Sequence, residues 1–291
     1  MTVFQNTYHS KDSPVWRVHL NAARTVLASR VQEPTVKDSI DSATTFLRQE
    51  LSIANTFASL TSFSLPHDEE IPIRDPGGPF AEFLKLLHMV TRLERQAFRD
   101  PETVYGTGIS PDGFQQLFEH ARSRTLKMSM SIKFSPPEGR LQFNRIVNSF
   151  YHAGLIYSCR ALFSSPGTHS PRDLFVESQI KTSMMELFQI LKYMEMDKPV
   201  YAQDLVWPLF IAGTEALNAD EQAMVVQKLE QTMLGTGFSN CEQALEFLRA
   251  LWAEREMIGN MEFDDPKGAM SHSWIPFARD WEKKGHVFWV F

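Results

Sequence analysis

Cysteine is scarce in this chain: Cys159 and Cys241 are the only two among 291 residues. Two thiols cannot build a disulfide framework or a cysteine-rich zinc site. Both lie in apolar helical patterns, where a free Cys packs as a small hydrophobe, and a reducing intracellular compartment fits. Long apolar runs are missing as well. No stretch approaches the ~18 uninterrupted apolar residues of a membrane span. The opening MTVFQNTYHSKDSP lacks the apolar core of a secretory signal. Positive charge is not in excess either, since the net charge is −6. Nucleic-acid binders show a basic patch or stripe. The nearest feature is Arg122, Arg124, Lys127 and Lys133, whose intervening Met and Leu fit the solvated side of an amphipathic helix.

Patterns of reactive chemistry are also thin. None of the histidines stands in an H-E-x-x-H or Cys/His array. His67-Asp68-Glu69-Glu70 sits in a stretch of loop composition, where adjacent acids define no coordination geometry. Asp264-Asp265 runs into Pro266-Lys267-Gly268, which breaks the helix an acidic metal pair would need. Ser164 and Ser165 lack the glycines of a nucleophile elbow. Gly106-Thr107-Gly108 follows no strand and lacks the later glycine of a dinucleotide fingerprint. No catalytic, cofactor-binding or metal-ligating residue is therefore assigned, and no cofactor is expected.

What the chain has is helical pattern. Apolar residues make up 43% and charged residues 22%, enough for a large core held without disulfides. Asp12-Ser13-Pro14 pairs a capping residue with a proline suited to the first helical turn. Val15, Val18, Ala22, Val26 and Leu27 follow at helical period. A second helix is predicted over 36–61, with Ile40, Leu47, Leu51, Ala54, Phe57 and Leu60 in its stripe. Further helices are predicted over 80–98, 110–132, 141–163 and 182–196, and from 201 to 217. Asn218-x-x-Glu221 resembles a capping box, and Ser239-x-x-Glu242 is one; both open helices. Trp274 to Lys284 is the last helical segment, and the aromatic tail Val287 to Phe291 packs on a helix or on another chain. Loops fall near 64–79, 101–111, 135–139, 164–172 and 259–272, where Pro, Gly and polar residues set turns. The expected fold is all-α: one domain, 1–291, of about ten packed helices and no paired strands.

Tyr201 to Leu217, YAQDLVWPLFIAGTEAL, is the most apolar of these stretches. Pro208 lacks an N–H and fits a first helical turn. Leu209, Phe210, Ile211 and Ala212 are apolar nearly all round, the mark of a buried helix. Gly213 costs about 1 kcal/mol against Ala inside a helix. Close approach of a neighbouring helix is the natural offset. A ligand pocket lined by Trp207 and Phe210 is the alternative use of the same residues.

The order of several landmarks resembles the fungal-specific transcription factor domain, the helical regulatory region of binuclear zinc-cluster transcription factors. Trp16-Arg17-Val18-His19-Leu20 and then Ala22-Ala23 resemble its W-x-x-H-L-x-G-A segment, with Ala22 where the pattern has Gly. Phe46-Leu47-Arg48 and Ala58 to Ser62 resemble its next helix, and Leu155-Ile156-Tyr157 its mid-domain helix. Val206 to Gly213 with Glu215-Ala216 resembles its most specific signature. Leu251-Trp252-Ala253-Glu254-Arg255 and Trp274 complete the set. Trp16, His19, Tyr157, Trp207, Pro208, Gly213, Trp252 and Trp274 are accordingly the signature and core positions.

The resemblance implies a nuclear transcription regulator, possible control of a secondary-metabolite gene cluster included. The family's six-cysteine DNA-binding cluster lies upstream of this region, and these residues do not supply it. Action without direct DNA contact follows, through another transcription regulator or a second copy of the chain. The chain opens about where the W-x-x-H-L segment stands, so apolar surface that preceding helices would cover is expected to meet a partner. A helical sensor of a small apolar effector and an enzyme on a helical scaffold remain as rivals, as does a shortened product without function.

Overall fold

The computed structural model describes residues 42–63, 78–100, 110–134, 138–163, 171–194, 203–237, 239–261, 273–286 and 290. Among these residues there are nine α-helices and no strand. The all-α expectation holds. The helix predicted from Pro14, the positions Trp16 and His19, and the acidic loop at His67–Glu70 lie outside the described residues.

The helices are α1 (Ser42–Thr61), α2 (Ala81–Arg99), α3 (Pro111–Ser129), α4 (Glu138–Leu162), α5 (Pro171–Lys192), α6 (Val206–Glu215), α7 (Ala219–Thr236), α8 (Asn240–Met261) and α9 (Trp274–Lys283). A short 3₁₀ turn, Gln203–Leu205, leads into α6. Two of them form the middle. α4 is flanked by α2, α3, α5 and α6, and α6 by α4, α5, α7 and α8. One cluster of buried side chains runs from Phe57 to Val290 through every helix.

Local chemistry sets several of the ends. Ser110 caps α3 by accepting from Gly113 N–H at 3.1 Å, with Pro111 in the first turn. Asn218 caps α7 by accepting from Glu221 N–H at 2.9 Å, while the Glu221 carboxylate takes the Leu217 N–H at 2.9 Å. Those reciprocal bonds satisfy donors that a helix start leaves open. α7 ends on Gly237 at φ 73°, a left-handed position that glycine fills without a Cβ penalty. Past the end of α5, the Tyr193 and Met194 carbonyls accept from Arg145 at 2.9 Å and Lys228 at 2.6 Å. Cations suit that negative helix end.

Several boundaries differ from expectation. α6 is Val206–Glu215 and stops short of the expected 217, and α3 stops at Ser129, short of the expected 132. α4 begins at Glu138, inside the turn expected over 135–139, because an acid is favourable in a first turn. α5 begins at Pro171 and is continuous through 173–181, where the sequence pattern left no element. Proline at a helix start explains it, and Val176 and Ile180 extend the buried stripe of Leu187 and Leu191 backwards. α8 continues to Met261, into the loop expected from 259.

Candidate functional site

α6 is buried along its whole length. Its first half faces aromatic rings. Trp207 lies 5.3 Å from Phe150 and 6.2 Å from Phe57, centre to centre. Phe210 meets Phe247 at 5.5 Å and Trp274 edge-on at 5.2 Å. Tyr157 stacks on Trp274 at 6.2 Å. The Tyr157 hydroxyl donates to Thr91 Oγ1 at 3.0 Å, because the Thr91 hydroxyl already donates to the Leu87 carbonyl. Burial pushes the Tyr157 phenol up to about 12, against the lowering pull of Arg95. It is a packed hydroxyl and not an acid at neutral pH.

The second half of α6 carries Gly213. A Cβ there would sit 2.5 Å from Leu248 and 3.1 Å from Val225. The missing side chain thus lets α7 and α8 close on α6, the offset sought for its helix cost. The Gly213 carbonyl accepts two donors: the Ala216 N–H at 3.3 Å and the Trp252 indole N–H at 2.9 Å. Glu215, the last residue of α6, is an acid at the negative end of a helix dipole, an unfavourable place. Arg160 of α4 compensates with three contacts of 2.8–3.2 Å, and holds Glu177 at 2.6 Å. Burial would lower the Arg160 pKa, but Glu215 and Glu177 outweigh it and hold it above the ordinary value. Arg255, from the same motif as Trp252, is also close enough to feel Glu215; burial, with Arg160 adding, lowers its pKa.

A second ionic cluster joins α1, α2 and α9. Glu94 pairs with both Arg95 and Arg279. Arg95 also donates to the Ser59 and Ser62 carbonyls at 3.0 and 3.4 Å. Glu282 accepts from Ser62 Oγ at 3.0 Å and from Phe63 N–H at 2.8 Å. Both guanidiniums lie on the Phe63 ring, at 3.8 Å for Arg95 and 4.8 Å for Arg279, and Arg279 also covers Phe98 at 3.5 Å.

Of the eight signature positions, six fall among the described residues, and all six are buried. Trp252 and Gly213 are joined by a hydrogen bond, and Tyr157 and Trp274 by stacking. Trp207 stands apart from both pairs. Pro208 lies in the first turn of α6, as expected of it. Sequence reasoning missed the ionic clusters. The available signal was that Glu94 and Arg95 continue the stripe of Leu87, Val90 and Thr91 at helical spacing, while Leu93 is only half-buried. Gly154 was missed too; a Cβ there would come 2.3 Å from the Phe118 ring.

Two of the basic residues of α3 are engaged with acids. Arg122 pairs with Glu119 at 2.8 Å and covers the Tyr151 ring, and exposed Arg124 reaches Glu82 at 3.3 Å. Cys159 and Cys241 are buried in α4 and α8, and burial pushes both thiols up to about 12. Among the described residues no His, Cys, Asp and Glu group could hold a metal ion, and no helix is long and apolar enough to cross a membrane.

The described residues form an all-helical scaffold whose signature residues serve packing. Comparison with known families matches residues 1–288 to the fungal specific transcription factor domain, and the chain belongs to that family. It is a family of transcription factor domains and not of enzymes. No curated protein and no solved structure matches the chain.

Proposed function

We propose that this chain regulates transcription in the nucleus through protein interaction, without reading DNA itself, and that its partner is another transcription regulator or a second copy. Control of a secondary-metabolite gene cluster is part of the proposal. The observation that carries it is the use of the signature residues. Trp207, Gly213, Tyr157, Trp252 and Trp274 hold helices against one another, and Arg160 and Arg255 gather around Glu215 at the α6 end. Such residues preserve a shape that another molecule can bind. The cysteine count supports the DNA clause: two thiols, in separate helices and held protonated by burial, are poor material for a zinc cluster.

The test has two arms. The chain fused to a heterologous DNA-binding module should alter expression of a reporter carrying that module's site, in a filamentous fungus. The unfused chain should give no retarded band with promoter DNA at micromolar concentration. A sequence-specific band from the unfused chain, or a reporter indifferent to the fusion, overturns the proposal.

A further inference from the structure

α9 is attached differently from every other helix described. Among the described residues, no helix packs along α9 with the close backbone approach that joins the others. Side chains bridge the gap instead. At its start Trp274 reaches between Tyr157, Phe210 and Phe247. In its middle Phe277 and Trp281 meet Phe247 at 5.2 and 6.0 Å. At its end Arg279 and Glu282 enter the ionic cluster of α1 and α2.

Two donors are stranded by this docking. The Trp274 indole N–H is buried, with the residue 1% exposed, and meets no acceptor; Arg95 Nε is likewise unmatched. An orphaned buried donor loses its water without gaining a partner, which works against the docked state. The ionic cluster adds a similar bias. Arg95, Arg279, Glu94 and Glu282 form a balanced set of two cations and two anions. Released, these groups regain solvation that a buried pair only partly replaces. Attachment through aromatic edges and a buried ion cluster, with little backbone contact, describes a low-stability unit of a larger fold.

We propose that α9 is a clasp. It lifts from the body as one unit while α4 and α6 stay folded, and in lifting it uncovers the ring faces of Tyr157, Phe210 and Phe247. Arg279 is its fastening, because among the described residues of α9 it is the one that bridges to Glu94 while covering Phe63 and Phe98. The clasp is a built-in conformational device through which binding at one face of this domain can be coupled to its interior.

Hydrogen exchange read by mass spectrometry on the full chain tests this, with urea raised in steps below the unfolding transition. In the unmodified protein the amides of 274–283 should exchange faster than those of α4 and α6, at a rate that rises with urea in common across α9 but less steeply than theirs. Arg279→Ala should accelerate the α9 amides by roughly ten- to a hundredfold, the scale of a charge-assisted hydrogen bond, and leave α4 and α6 unchanged. Three results overturn the clasp: α9 exchange that rises with urea in step with α4; an Arg279→Ala effect shared equally by α4 and α6; or acceleration confined to the last turn, which is ordinary end fraying. If Arg279→Ala does not fold, the urea series on the unmodified chain decides alone.

Discussion

Two tryptophans show two ways of holding a helix. Trp252 of α8 is 7% exposed and its indole N–H has an acceptor, the Gly213 carbonyl, across a contact so close that a Cβ would not fit. Trp274 of α9 is more deeply buried, at 1%, and its N–H has none. Each stands near an ionic cluster with a buried pair at its heart: Arg160 and Glu215, with part-exposed Glu177, beside the first, and Glu94, Arg95 and Arg279, with part-exposed Glu282, beside the second. Depth of burial therefore does not rank their contributions. The first region gives its indole N–H an acceptor and brings backbones together, whereas the second reaches across with long side chains and leaves its indole N–H unmatched.

The sharpest way to break the contrast is at the first ionic cluster. Arg160→Met strands the Glu215 carboxylate in the interior, and removing one member of a buried pair costs about 3–5 kcal/mol. Urea denaturation followed by circular dichroism should show that loss in the whole transition, whereas Arg279→Ala should loosen α9 alone. Gly213→Ala comes next. Pressing a methyl into Leu248 should cost about 1–3 kcal/mol, less about 1 kcal/mol regained in helix propensity. A stabilised Gly213→Ala protein would show that α7 and α8 do not depend on that gap.

The tryptophans themselves sharpen the comparison. Trp252→Phe and Trp274→Phe remove similar volume, but only the first leaves an interior carbonyl short of a donor. The first should cost more, by about 1 kcal/mol in paired denaturation curves. Equal losses would mean that the indole bond adds nothing.

Two smaller effects follow. His152 is held neutral: burial first, then Arg122, lowers its pKa to about 4, against the opposing pull of Glu119. The unfolded chain takes up this proton below about 6.5 and the native chain does not. Stability is thus full above that pH and falls as the pH drops toward 4. In His152→Gln, the decline in melting temperature between pH 7 and pH 5 should be shallower. The cysteines set the last test. With both thiols pushed up to about 12 and buried, alkylation at pH 8 should proceed only as the chain unfolds.

How much of this was legible in the chain depends on which kind of signal carried it. Period and punctuation carried the helices: Ser110-Pro111 and Asn218 cap where their side chains require. α5 was half-read, because residues 173–181 bury only Val176 and Ile180 on a mostly polar face. Its start at Pro171 shows only once that sparse stripe is seen to continue. Gly213 was legible because a glycine among large apolar residues has a helix cost that asks for a cause. Gly154 poses the same question, but in a softer pattern between Ala153 and Leu155, and the answer needed Phe118 of α3 beside it.

The amino-acid order by itself determined that this chain is helical, that α6 is interior, and that it belongs with a family of fungal transcription factor domains. Those features rest on short-range periodicity and on a sequence of landmarks, both of which survive without coordinates. Only the tertiary structure decided which charges meet. Arg160 and Glu215 are separated by 55 residues, and Arg279 and Glu94 by 185. No local rule links positions so far apart; the packing of α4 on α6, and the side-chain reach of α9 to α2, bring them together.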